Sequence, residues 1–151
     1  MEKKYIMGII LIVLLLINAV LVYDLINNES NNSINFEGVA FEIPKNYFVG
    51  DNPNQIELSN GTDKIIISKL NGTDINSLIK MYNDSYSGNY SISVSDFDSD
   101  VDCKKTVSKN SNYTIVKYWF KINNQIYQIQ INGDESKSEE IAKNLIASMT
   151  K

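Results

Sequence analysis

The stretch TIVKYWFKINNQIYQIQI, residues 114–131, decides the fold. Apolar and aromatic side chains recur at every second position in both of its halves, which is the pattern of a half-buried strand. Asn123 and Asn124 separate the halves, and asparagine tolerates the left-handed conformation of a tight turn. We therefore predict a β-hairpin with one buried face, formed by Val116, Tyr118, Phe120, Ile122, Tyr127, Ile129 and Ile131.

Further strands and two helices are predicted on either side of this hairpin. The apolar stripe of Ile75, Leu78, Ile79 and Tyr82 predicts a helix over 75–86, and the capping-box spacing Ser136-x-x-Glu139 predicts the start of a C-terminal helix. The order β-β-β-α-β-β-β-β-α indicates an α+β fold, a mostly antiparallel sheet flanked by helices. The additional strands are predicted at 38–43, 55–58, 64–70, 90–95 and 101–108.

The N-terminal part of the chain is predicted to be a membrane anchor. Residues 5–23 contain one strongly polar residue, Asn18, and a helix of this length spans about 28 Å, close to a bilayer core of about 30 Å. Lys3 and Lys4 precede the segment, so the positive-inside rule places the N-terminus in the cytoplasm. We expect an uncleaved signal anchor and transmembrane helix within 1–26; the alternative is a cleaved signal peptide.

The rest of the chain divides into a linker and one domain. Residues 27–35 (NNESNNSIN) are polar and lack periodicity, so they predict a short tether. Residues 36–151 have the length of one domain with a single core. The orientation of the anchor places that domain outside the cytoplasm, as part of a single-pass protein of the cell membrane.

Several segments of this domain resemble a known family. Residues 39–47 (VAFEIPKNY) resemble the opening of PsbP-like domains, the superfamily named after an extrinsic subunit of photosystem II. Residues 118–120, 123–129 and 141–149 resemble that family's aromatic strand, hairpin and final helix. The resemblance implies a PsbP-like sandwich over 36–151, similar to small membrane-anchored proteins of this type in methanogenic archaea. It carries over no binding residue.

The composition excludes several functions. The chain has no His, so it has no imidazole for acid–base catalysis and no Ser-His or Cys-His nucleophile pair. All 14 basic residues are Lys, which leaves no arginine clamp for phosphate, and the net charge of −4 argues against nucleic acid. We therefore predict that the protein is not an enzyme and has no nucleic-acid partner.

An acidic segment offers the one candidate metal site. Four carboxylates at alternate positions supply the oxygen ligands that Ca²⁺ prefers, so calcium is the candidate cofactor. The EF-hand spacing is not met, because Val101 and Val107 stand where that loop requires Gly and Glu. The alternative is a solvated acidic turn between two strands. The four residues, in the segment SDFDSDVD, are Asp96, Asp98, Asp100 and Asp102.

A candidate binding surface lies on the face of strand 114–122 that is opposite the hairpin core. Trp119 is placed there with Ile115, Lys117 and Lys121 as neighbours on the same face, and the hairpin places Gln128 opposite. An aromatic ring beside amide and ammonium groups suits a sugar or a partner chain. The alternative is that a helix covers Trp119 and the lysine stems pack along the indole.

Two further features concern covalent modification. Cys103 is the single cysteine, so it could pair two chains, or it could be a small buried hydrophobe. Seven Asn-x-Ser/Thr sequons predict glycosylation of a surface domain, although Asn, Ser and Thr also gather in turns for conformational reasons. The sequons are at Asn28, Asn31, Asn60, Asn71, Asn83, Asn89 and Asn112.

The predicted function is that of a non-catalytic module that binds or organises an envelope or membrane partner. The alternative is a surface sensor or binding domain for a small solute, a calcium ion or a polysaccharide. No catalytic residue is predicted, because no acid–base or nucleophile arrangement can be recognised.

Overall fold

The computed structural model describes residues 33–50 and 52–149, which form nine strands and two helices. The strands are β1 (Ser33–Phe36), β2 (Val39–Glu42), β3 (Phe48–Gly50), β4 (Ile56–Ser59), β5 (Lys64–Leu70), β6 (Ser91–Asp96), β7 (Cys103–Lys109), β8 (Thr114–Ile122) and β9 (Gln125–Asn132), and the helices are α1 (Ile75–Tyr86) and α2 (Glu135–Met149). Seven strands form one sheet in the order β3-β4-β5-β9-β8-β7-β6, and β1 and β2 form a separate hairpin. Every strand pair in this part of the chain is antiparallel.

The β8–β9 hairpin lies in the interior of the large sheet and confirms the predicted turn. Asn123 and Asn124 have φ angles of 49° and 65°, the left-handed values that a two-residue hairpin turn of this hand requires. The register sets Tyr118 opposite Ile129 and Phe120 opposite Tyr127. All seven predicted face residues lie in or against the main core cluster, as the alternation indicated.

Helix α2 and the β1–β2 hairpin cover one face of the sheet. Ala142, Leu145 and Ile146 of α2 pack against the buried hairpin face in the same cluster as Val39 and Phe41 of β2. The spacing of the α2 residues places them on one side of the helix, so the opposite side stays in solvent. This cluster is the larger of the two cores among the described residues.

Helix α1 packs on the opposite face of the sheet. Ile75, Ile79 and Tyr82 form a second cluster with Trp119 and Ile126. Neighbouring residues of a strand point to opposite sides, so Trp119 faces α1 while Tyr118 faces α2. The bounds of α1 confirm the predicted helix, which is capped by the Asp74 carboxylate accepting a hydrogen bond from the Ser77 N–H at 2.8 Å.

The start of α2 differs from the prediction. The Asp134 carboxylate accepts a hydrogen bond from the Lys137 N–H at 2.9 Å, so Asp134 caps the helix and Ser136 lies within it. The predicted capping box of Ser136 and Glu139 is therefore wrong. Asp134 is an equally good cap and comes earlier in the chain, while Glu139 pairs with Lys105 at 2.6 Å.

Two short strands are absent from the prediction. β1 includes residues 33–35, which the sequence pattern assigned to the linker, and it pairs with β2 so that Ile34 lies opposite Phe41. β3 has three residues and pairs only with β4 at an edge of the sheet. Both strands depend on pairing with a neighbour, because segments this short have too little alternation of their own.

The predicted fold class requires correction. It joined a PsbP-like sandwich to an N-terminal transmembrane helix, whereas the findings support a mostly antiparallel sheet with two helices. Within residues 33–50 and 52–149, no helix has the length and apolar character needed to cross a membrane. The two helices have 12 and 15 residues and are amphipathic, so they pack on the sheet. The predicted anchor in 1–26 and most of the linker lie outside the described residues.

Ile129→Ala should strongly destabilise the domain. Ile129 has no exposed surface and lies on an interior strand, so truncation leaves a cavity that its rigid neighbours fill poorly. We expect a loss of about 3 kcal/mol in the free energy of unfolding, measured by urea titration. The matched control is Val94→Ala on edge strand β6, where Val94 is 51% exposed; equal losses for both variants would contradict the assigned core.

Candidate binding face

The face of the sheet that packs against α1 carries a group of polar residues on neighbouring strands. Register places Gln130 directly opposite Lys117, and Gln128 between Trp119 and Ser68. All of these residues therefore share the α1 face. We refer to Lys117, Gln128, Gln130, Ser68 and Tyr82 as the Lys117 site.

Lys117 has no carboxylate partner within the described part of the chain. Its ammonium lies 4.3 Å from the centre of the Tyr82 ring and 5.7 Å from that of Trp119, a cation–π arrangement. The side chain is half-buried, and this burial lowers the pKa of Lys117 from 10.5 to about 8. The positive charge is thus held in a partly desolvated position that no acidic group neutralises.

Gln128 is a second polar residue of this site whose side chain has no partner among the described residues. The residue is 8% exposed, and its side-chain amide forms no hydrogen bond with any described residue. No completely enclosed side-chain nitrogen or oxygen in residues 33–50 and 52–149 lacks a partner, so the Gln128 amide still reaches solvent. A nearly buried amide without a protein partner is energetically costly unless water or a ligand bonds to it.

An aromatic series leads from the sheet to the surface beside this site. Ring centres are 5.6 Å apart for Trp119 and Tyr82, 4.8 Å for Tyr82 and Tyr86, and 6.5 Å for Tyr86 and Tyr90. The Tyr82 hydroxyl forms a 2.9 Å hydrogen bond with Ser108, which fixes the middle ring. Tyr86 therefore packs on a ring that is held in place, while 47% of its own surface is exposed.

The structure places the predicted surface residues in different surroundings. Trp119 is 4% exposed beneath α1, and its indole N–H donates to Thr106 at 3.0 Å, so its ring supports the face and is not open to a ligand. Lys121 lies four residues from Lys117 along β8, about 13 Å away, opposite Ile126. Of the three predicted residues, only Lys117 belongs to the site.

Tyr82, Tyr86, Gln130 and Ser68 were not predicted as site residues. A signal for the two tyrosines is present in the sequence, because they continue the apolar stripe of α1 at i, i+4 spacing. Gln128 was predicted to lie opposite Trp119 in the hairpin, and the register confirms that placing. Its importance comes from its burial between neighbouring strands, which only the packed sheet reveals.

The four aspartates of the predicted calcium site are not gathered by the structure. Asp96 pairs with Lys104 across the β6–β7 ladder, and Asp98 pairs with Lys143 of α2 at 3.1 Å. No group of three acidic or cysteine side chains that could hold a metal ion occurs in the described ranges. The alternating pattern predicted one cluster, but the chain leaves β6 after Asp96, so alternation no longer places the carboxylates on one face.

The cysteine is buried. Cys103 is 3% exposed on β7, and burial raises the pKa of its thiol to about 12. A buried thiol that resists ionisation is a poor partner for disulfide exchange, so its environment is that of a small core hydrophobe.

The sequons lie in several different positions. Asn28 and Asn31 are outside the described residues, and four others, Asn71, Asn83, Asn89 and Asn112, are exposed. The Asn60 amide nitrogen donates to the Asp63 carboxylate at 3.1 Å within the β4–β5 turn, so a glycan there would compete with this bond. Glycosylation stays a prediction, with Asn60 the least accessible of the five described positions.

No family model matches the chain, and no curated protein matches it at a significant level. The resemblance to PsbP-like domains therefore stays a prediction from the sequence, and the Lys117 site has to be interpreted from its own chemistry.

Lys117→Met should change how stability depends on pH. The pKa of Lys117 is about 8 in the folded chain and near 10.5 in the unfolded chain, so between these values the unfolded state binds more protons. The contribution of Lys117 to the free energy of unfolding therefore rises with pH over this range. At pH 7, K117M should have a higher free energy of unfolding than the wild type. This difference should decrease by about 1 kcal/mol by pH 10, measured by urea unfolding.

The matched control for this measurement is Lys80→Met, which removes an exposed lysine from α1. Both variants lose one positive charge, so general effects of net charge cancel between them. An advantage of K117M that is constant from pH 7 to pH 10 would show that Lys117 is not desolvated in the folded state.

Proposed function

We propose that this chain is a non-catalytic binding protein and that the Lys117 site is the surface at which it holds its partner. The observation that carries the proposal is that, among the described residues, the Lys117 ammonium has no carboxylate partner and the Gln128 amide, diagonally across the β8–β9 ladder, has no hydrogen-bond partner. Polar groups that are partly buried and have no partner within the protein lower the stability of the fold. Such groups are characteristic of functional sites.

The other face of the sheet supports this interpretation by contrast. There Lys105 contacts Glu135 at 2.9 Å and Glu139 at 2.6 Å, and the Tyr118 hydroxyl bonds to Ser138 at 3.1 Å. Polar groups on that side are satisfied within the fold and hold α2 in place. On the α2 face Lys105 is thus paired with two glutamates, whereas Lys117 on the α1 face contacts no carboxylate among the described residues.

A binding role fits the chemistry of the Lys117 site better than catalysis. Its polar members are one lysine, two glutamines, a serine and a tyrosine, and the Tyr82 hydroxyl is already bonded to Ser108. Amide and ammonium groups hold a ligand by donated hydrogen bonds, but an amide neither gains nor loses a proton near neutral pH and so cannot act as an acid or a base. The site therefore offers recognition without an acid–base pair.

We further propose that the apolar segment 5–23 holds the domain at the outer side of a membrane. This part of the proposal is supported only by the sequence, through the apolar length and the preceding lysines. Attachment would confine the domain close to the bilayer and raise its effective concentration toward envelope or membrane components. The proposed partner is accordingly a component of that surface.

A photo-crosslinking experiment in native membranes tests the binding face. A photoreactive phenylalanine at Gln130, directly opposite Lys117, should give reproducible adducts because it lies within the site. The same residue at Glu140, exposed on α2, is the control and should give few. Adducts analysed by mass spectrometry that are equal at both positions, or missing at Gln130, would contradict the proposal.

Membrane attachment is tested by fractionation. The full chain should stay with the membrane pellet through a carbonate wash, because an apolar segment of this length is costly to transfer to water. A variant that begins at residue 27 should move to the soluble fraction. Recovery of the full chain in the soluble fraction would remove the membrane part of the proposal and leave the binding face untouched.

A further inference from the structure

We propose that the Lys117 site takes the carboxylate of an acidic sugar, a uronic-acid residue in a surface polysaccharide, and that the sugar ring lies against Tyr86. This inference rests on the proposed function and names the ligand class for the same site. It follows from the charge at Lys117, the hydrogen-bonding groups around it and the exposed ring next to it.

The charge of the ligand is set by Lys117. Two acidic side chains of the sheet share this face, and Glu57 of β4 is paired with Lys64 at 2.7 Å. Asp96, at the far edge of the same face, is engaged by Lys104. The ammonium of Lys117 is therefore open to an anionic group from outside, and a carboxylate matches it in a charge-assisted hydrogen bond.

The polar groups around Lys117 suit a ligand rich in hydroxyls. Gln128 and Gln130 each carry an amide that both donates and accepts, and Ser68 adds a hydroxyl opposite Gln128. Sugar hydroxyls also donate and accept, so they can satisfy the Gln128 amide in both directions. A simple inorganic anion would use only the donors and leave the amide oxygen without a partner.

The exposed aromatic ring adds the second contact. Tyr86 packs on Tyr82 at 4.8 Å between ring centres, and Tyr82 in turn lies under the Lys117 ammonium at 4.3 Å. The ammonium and the exposed ring both contact Tyr82, so we propose that a single pyranose against Tyr86 directs its carboxylate to Lys117. The apolar face of a pyranose packs well on such a rigid ring.

The net charge of the chain makes the test specific. At −4, the protein as a whole repels an acidic polymer, so binding has to come from a local contact and not from general attraction. Removing one lysine that merely added positive charge would have the same effect wherever that lysine lies. Removing Lys117 should have a larger effect than removing any exposed lysine.

The experiment is calorimetry of the full chain in detergent with trigalacturonate, with the neutral galactose trimer as the ligand control. We expect measurable binding of the acid and none of the neutral sugar. K117M should weaken binding about tenfold or more, since it removes a charge-assisted bond, whereas K80M should change it less than about twofold. Tyr86→Ala, at a position that is 47% exposed, should weaken binding, and Tyr86→Phe should retain it.

The contrary outcomes are separable. Equal binding of the acidic and neutral trimers, or no loss with K117M, would overturn the role of Lys117. Stronger binding of an aspartate-rich peptide than of trigalacturonate would overturn the sugar and favour an acidic protein segment. If crosslinking at Gln130 finds a partner but trigalacturonate does not bind, the ligand class fails and the proposed function stands. If trigalacturonate binds but crosslinking at Gln130 finds no partner, the ligand class is supported and the proposed function is contradicted.

Discussion

Both faces of the domain depend on the pairing of β8 with β9. Interior strands must present apolar side chains on every side that is covered, and one residue of slippage would exchange the two faces. The Asn123–Asn124 turn sets the register, with both residues in the left-handed region. That register sends Tyr118 and Phe120 to the α2 side and Lys117 and Trp119 to the α1 side, so a single turn separates the core from the binding face.

The two faces use their polar residues differently. On the α2 side, Lys105 meets two glutamates and Tyr118 meets Ser138, so these groups strengthen the packing of the helix. On the α1 side, Trp119 and Tyr82 are satisfied by Thr106 and Ser108, but Lys117 and Gln128 are not satisfied within the described fold. The difference is physical, because all of these groups are at least partly shielded from water, and Lys117 and Gln128 have no compensating partner among the described residues. It explains why a binding role is assigned to one face only.

Local patterns predicted the elements that have strong local signals. The β8–β9 hairpin and α1 follow from alternation, a turn of two asparagines and an apolar stripe capped by Asp74. β1 and β3 were missed because short strands are defined by their neighbours. The cap of α2 was misplaced because two capping residues, Asp134 and Ser136, lie close together and their local signals are equivalent. The predicted fold class is corrected to a mostly antiparallel sheet with two helices, and no helix in residues 33–50 and 52–149 is long and apolar enough to cross a membrane.

The sequence by itself determined the alternating faces of the hairpin and the placing of Lys117 and Trp119 on one side of it, since side-chain direction in a strand depends only on position. It also determined the absence of imidazole and guanidinium chemistry. Only the tertiary structure decided that Trp119 is covered, that Tyr86 stays exposed and that Gln128 is nearly buried without a hydrogen-bond partner in the described part of the chain. Burial and pairing depend on which element packs over a residue, and that choice is made by contacts between segments far apart in the chain.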